Sequence, residues 1–241
     1  KKKKNSSGQT NTFTPAGSIT QNVDTPSNNF CTMNPLQAST QISYSNGNLT
    51  TTNTSSGAHR TNLSTFAVSS GKWYWEGKSV STGGAYATFG IYNVDFAFDS
   101  GAYFTSTANG YGYNANGKIF HNDGDLVTGL ATWTDGDIIG VALDATNNKI
   151  YFSKNGSWQN SGDPSNNTGG TSITSNITWC FAGHDYDAGT DPVKSFNFGQ
   201  GFFGTTAVAS ANADANGHGA MEYTVPTGFY TLCTKNIKEF G

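Results

Sequence analysis

Apolar residues in this chain recur in short bursts at a spacing of two and break at Gly, Asn, Asp or Pro. That is the pattern of strands and turns, and helical periodicity is almost absent. The bursts predict strands at Gln41–Tyr44, Ser64–Val68, Lys72–Val80, Tyr86–Tyr92, Gly110–Asn114, Lys118–His121, Ile138–Asp144, Lys149–Lys154, Ile177–Ala182 and Ser195–Phe198. Many short strands with regular turn signals imply an all-β sandwich or barrel. Asn116-Gly117 reads as a tight hairpin with both residues at positive φ. Asn147-Asn148 is read the same way, because Asn tolerates the left-handed region, and Asn155-Gly156 closes the next turn.

Composition divides the chain. Lys1 to about Asn29 is mostly Asn, Ser, Thr, Gly and Gln and cannot bury a core alone. We expect four parts: an extended polar N-terminal arm (1–29), strands flanking the sandwich (30–63), the sandwich (64–204) and a C-terminal flank that returns to it (205–241). Charged residues are only 12% of the chain, about half the usual share, and Asn, Ser and Thr supply the solubility. Arg60 is the only arginine, and four of the lysines are Lys1–Lys4, so the body is acidic. Nucleic-acid binding needs clustered Lys and Arg, so it is not expected. No apolar run approaches the roughly 20 residues needed to span a bilayer.

Five motifs, in order, resemble a SPRY domain: GKWYWEGKSV (Gly71–Val80), ATFGIYN (Ala87–Asn93), YGYNANGKIFHN (Tyr111–Asn122), WTDGDIIGVALDATNNKIYFSKNGSW (Trp133–Trp158) and FNFGQGFF (Phe196–Phe203). The resemblance runs from about Ser64 to Gly204. It implies a two-sheet, concanavalin A-like antiparallel sandwich that recognises peptides or proteins through loops at one edge. The flanks Gln21–Leu36 and Val225–Ile237 resemble pieces found around SPRY domains in bacteriophage structural proteins. They also echo each other, as Phe30-Cys31-Thr32-x-Asn34 and Leu232-Cys233-Thr234-x-Asn236. The expectation is that strand-like Phe30–Met33 and Tyr230–Thr234 pair. Whether Cys31 and Cys233 are bonded stays open, since a disulfide requires Cα atoms within about 7 Å.

The loops Gly83–Tyr86, Val94–Tyr103, Asn155–Asn167 and His184–Asp191 are the candidate binding surface. Tyr86, Phe96, Phe98, Tyr103, His184 and Tyr186 are its candidate residues, because loop aromatics serve as anchors. The plainer reading is that these rings plug the loops onto the core. Trp158 is expected in the core. The alternating Asp185, Asp187 and Asp191 on a Gly-containing loop are hard oxygen donors of the kind calcium takes. The plainer reading there is an exposed acidic loop, and no cofactor is required. The histidines read as surface or turn residues.

Catalysis is not expected. A retaining glycoside hydrolase needs two carboxyl groups about 5 Å apart. The three glutamates, Glu76, Glu222 and Glu239, are not in such a pattern, and Glu76 is expected to make structural hydrogen bonds. No Gly-x-Ser-x-Gly elbow anchors a triad. The leading expectation is a non-enzymatic virion surface protein of a bacteriophage: a tail-fibre, receptor-binding, head-fibre or decoration component. Its partners would be copies of itself, other virion proteins, or a host surface protein or glycan. A secreted adhesin or filament subunit is the alternative, then a carbohydrate-active sandwich enzyme. Ordering the polar arm costs about 1–2 kcal/mol per residue, so the arm is expected to lie on an adjacent copy or another virion protein.

Overall fold

The computed structural model describes residues 24–54, 57–96 and 103–241. The 1–23 stretch of the expected arm, and Phe98, lie outside them. Along the chain run β1 (Met33–Ala38), β2 (Ile42–Ser45), β3 (Thr50–Asn53), β4 (Ala58–Val68), β5 (Lys72–Ser81), β6 (Thr88–Asn93), β7 (Gly110–Asn114), β8 (Lys118–His121) and β9 (Gly124–Val127). There follow β10 (Ile138–Asp144), β11 (Lys149–Lys154), β12 (Ser157–Trp158), β13 (Thr171–Ser172), β14 (Trp179–Asp187), β15 (Val193–Asn197), β16 (Phe202–Phe203), β17 (Thr206–Ala207), β18 (Tyr230–Thr231) and the helix α1 (Thr234–Phe240).

The strands form two main sheets. The first has the order β1-β4-β14-β6-β7-β8-β9, and the second β12-β11-β10-β5-β15-β3-β2, with β13 on β11 and β18 on β5. Pairing is antiparallel except for β18 on β5. Side chains from both inner faces meet in one core. Trp75 of the second sheet, fully buried, lies 6.0 Å from the Phe89 ring and 5.8 Å from the Phe181 ring of the first. This is a nearly all-β, two-sheet sandwich, the architecture that the sequence motifs imply.

β10 is buried along its whole length, which explains why its sequence does not alternate. Ile139, Val141 and Leu143 enter the inter-sheet core. Ala142 on the other face packs with Tyr74 and Tyr151 beneath Met221, Val225 and Phe229. The C-terminal segment thus roofs the outer face of the second sheet. Trp158 joins this roof half-buried instead of entering the central core. Glu76 ties the roof down. Its Oε1 accepts from Tyr74 Oη at 3.0 Å and Tyr223 N at 2.8 Å, and its Oε2 accepts from Glu222 N at 2.8 Å and Asn197 Nδ2 at 3.3 Å. The carboxylate's role is structural: four donors occupy both oxygens.

The flanking echoes do lie side by side. Phe30 bridges Cys233 antiparallel, Cys31 N donates to Leu232 O at 2.9 Å, and Thr234 N to Asn29 O at 2.9 Å. Cys31 and Cys233 are free and buried. The expected strand at Tyr230–Thr234 is corrected: it stops at Thr231, and Thr234 opens α1.

Turn chemistry held where Gly and Asn sit alone between paired residues. Lys154 pairs Ser157, with Asn155 at φ 48° and Gly156 at φ 80°, a two-residue turn. At Asn116-Gly117 only Gly117 is left-handed, because Asn114 pairs Lys118 and Ala115 makes a three-residue loop. At Asn147-Asn148 only Asn148 is left-handed, in the four-residue loop between Asp144 and Lys149.

Candidate binding face

β14 alternates with period two. Phe181 enters the core and Asp185 contacts Lys194 of the second sheet, so odd positions face inward. Cys180 and Ala182 pack with Leu63, Tyr92 and Phe104 on the opposite face, and His184 and Tyr186 follow them. This corrects the expected loop at His184–Asp191. His184, Asp185, Tyr186 and Asp187 belong to a strand, and His184 is buried.

On that outer face β4 lies beside β14, with His59 opposite Tyr186 and Thr61 opposite His184. His59 becomes the centre of a ring cluster. Its ring lies 4.8 Å from Tyr186, 5.1 Å from Tyr103, 5.6 Å from Tyr86 and 5.0 Å from His184. Tyr86 comes from the β5–β6 connection and Tyr103 from the β6–β7 connection. Four of the expected residues therefore converge, and the sequence reading missed their hub, His59. Its only signal was an aromatic-compatible side chain on a strand whose partner could not be known. Tyr86 and Phe96 are more than half exposed, at 55% and 53%; His59, Tyr103 and Tyr186 are intermediate.

Hydrogen bonds fix the cluster. His184 Nδ1 faces the Tyr86 carbonyl oxygen at 2.9 Å, so that nitrogen carries the proton and donates. His184 Nε2 then accepts from His59 Nδ1 at 3.0 Å. Burial lowers His184 well below the ordinary imidazole value, with the His59 and Lys194 charges adding to it. Burial also lowers His59, against the pull of Asp185. Tyr103 Oη donates to Asp123; burial first, then that carboxylate, push the phenol up to about 12. Gly83 is required here: a Cβ on it would strike the Tyr186 carbonyl oxygen, so only glycine lets the Tyr86 loop reach β14.

The expected aspartate trio is pulled apart. Asp185 pairs with Lys194. Asp187 Oδ1 accepts from Gly189 N, Thr190 N and Asp191 N at 2.6, 2.7 and 3.2 Å, and Asp191 is exposed. Among the described residues no three His, Cys, Asp or Glu side chains are grouped to hold a metal ion. Among the same residues no helix is long and apolar enough to cross a membrane.

A sandwich whose outer edge gathers half-exposed rings from two connections and two strands has the architecture of a concanavalin A-like recognition module. More narrowly, residues 72–167 match the family model of the SPRY domain. The SPRY domain of human HERC1 superposes at a TM-score of 0.56 with 21% identity, over 68% of this chain and 96% of that one. The PSpry domain of TRIM65 does so at 0.50 with 10% identity, over 70% of this chain and 89% of that one. No curated protein matches the chain in sequence. SPRY domains are protein-interaction modules.

Proposed function

We propose that this chain is a non-enzymatic recognition and assembly protein of a bacteriophage virion surface, docking a partner protein on the face built by His59, Tyr86, Tyr103 and Tyr186. The observation that carries the docking role is the convergence of these rings, with Tyr86 left more than half exposed among them. Tyrosine offers large contact area at low entropic cost, and the His184–Tyr86 and His59–His184 hydrogen bonds hold the rings in place before a partner arrives. The flanks' resemblance to phage structural proteins and the low charge of the chain support the virion setting, outside the cell. Partners are further copies of the chain, other virion proteins, or a host surface protein or glycan.

The setting is tested by mass spectrometry and labelled-antibody electron microscopy of purified particles, which should find the chain at the particle surface. The docking role is tested with the partner those particles supply: Tyr86→Ser and Tyr186→Ser should each weaken binding about tenfold or more, as truncated anchors do. Unchanged binding by both folded variants would refute this face.

A further inference from the structure

Among the described residues Lys194 and Asp185 form an ion pair with both partners buried, at 2% and 5% exposure. They belong to opposite sheets, Lys194 to β15 and Asp185 to β14, and Lys194 Nζ lies in direct contact with Asp185 Oδ2. The two carboxylate oxygens are in different surroundings. Oδ1 accepts from the backbone N–H of Gly83 at 2.9 Å and of Tyr186 at 3.0 Å, two fixed dipoles of the sort that stabilise a developing oxyanion. Oδ2 has the amine against it. The Phe89 ring lies 5.4 Å from Nζ and closes the site on the apolar side. On the other side a small cavity, lined by Asp185 and Lys194 with Asn53, Arg60 and Asn62 among others, has room for about one water. Asn62 lines the cavity, and its buried Oδ1 has no hydrogen-bond partner among the described residues.

We propose that Lys194 and Asp185 condense to an intramolecular amide, a covalent cross-link between the two sheets. The atoms balance within the pair. One proton moves from the Nζ ammonium to Oδ2, giving an amine and a carboxylic acid. Burial drives both partners that way, lowering Lys194 and raising Asp185. The Nζ lone pair then attacks Cγ, and the carbonyl electrons move to Oδ1, held by the Gly83 and Tyr186 N–H groups. A second Nζ proton passes to the Oδ2 hydroxyl, the Cγ–Oδ2 bond breaks and water leaves. The third proton stays on the amide nitrogen. No oxidant or co-reactant is needed, and the adjoining cavity offers the departing water an acceptor in Asn62 Oδ1.

The test is the intact mass of the full chain under denaturing conditions, with a tryptic map. The cross-linked protein is lighter than its sequence by one water, resists trypsin at Lys194, and yields fragment ions that place the loss between Asp185 and Lys194. The Lys194→Arg variant has its full calculated mass. That variant also controls for dehydration elsewhere in the chain, above all at Asp123-Gly124 and Asp135-Gly136, the Asp-Gly pairs at which an aspartate most readily loses water to a succinimide. A wild-type chain at full mass that is cut at Lys194 overturns the proposal, and so does a water loss that persists in Lys194→Arg. The wild-type mass and map decide by themselves, so the test stands even if the variant does not fold.

Discussion

Glu76 is fully buried, with four protein donors on its carboxyl oxygens. Burial raises its carboxyl from the ordinary range to about 7 despite those donors. A carboxyl whose folded value is raised contributes stability that is fully present below the unfolded value, about 4.5, and is lost as pH rises through about 7. The size is on the order of 3 kcal/mol. Glu76→Gln removes the titration but sets an amide N–H₂ against a backbone donor, at Glu222 or Tyr223, and should cost about 1–3 kcal/mol. In denaturant titrations the advantage of wild type over Glu76→Gln should therefore shrink between pH 4.5 and 8. A constant difference would show that Glu76 does not titrate there. The histidine pair has the opposite sign. Its folded values are depressed, so its contribution is present above about pH 6.5 and is lost as pH falls through the folded values. Once acid places a second proton on His184 and ends its acceptance from His59, the protection factors of the Gly83 and Ala87 amides, taken relative to their intrinsic rates at the same pH, should fall. Protection factors that stay constant as pH is lowered all the way to the acid unfolding transition would contradict this. Gly83→Ala should push the Tyr86 loop off β14 and weaken partner binding while leaving the core intact, read as lost affinity at unchanged near-ultraviolet circular dichroism.

Among the elements, the C-terminal roof is the one whose importance composition hid. Val225–Phe229 looks like a loop, yet Phe229 is 1% exposed. Its ring meets Tyr151 edge-on at 6.5 Å and receives Lys72 Nζ at 5.6 Å. Phe229→Ala should cost about 3–5 kcal/mol, the range for a buried phenylalanine, measured by chemical denaturation. A loss under 1 kcal/mol would mean that the roof is dispensable to the sheet. The strands were legible wherever a local signal bounded them: β7, β8, β10 and β11 run over the residues that their turn-bounded apolar bursts marked. β1, β3 and β9 were not, because Met33–Ala38, Thr50–Asn53 and Gly124–Val127 are edge or polar strands whose stability comes from the neighbour they pair with. α1 escaped for a related reason. Seven residues are too few to show a helical period, and a helix so short is held by packing, here with Ile237 and Phe240 against the core and the Phe240 ring stacked on Tyr230 at 3.8 Å.

For the whole molecule, one inter-sheet core implies one cooperative unit. Trp75→Ala, at its centre, should lower stability by about 3–5 kcal/mol, and far- and near-ultraviolet circular dichroism should lose signal at the same denaturant concentration. Separate transitions would show that the sheets or the roof unfold independently. The sequence alone determined the strand-and-turn character, the sandwich class and the SPRY motifs, because alternation, Gly and Asn turns and aromatic spacing act over a few residues. It also marked Tyr86, Tyr103, His184 and Tyr186, since aromatic side chains are visible in any sequence. It could not say that His59, 125 residues before His184, is their hub, nor that Asp185 turns inward to Lys194 instead of onto the outer face with His184 and Tyr186. Alternation tells which residues share a face of one strand. Which strand lies alongside, and what waits across the core, is fixed only when β4 meets β14 and the two sheets close.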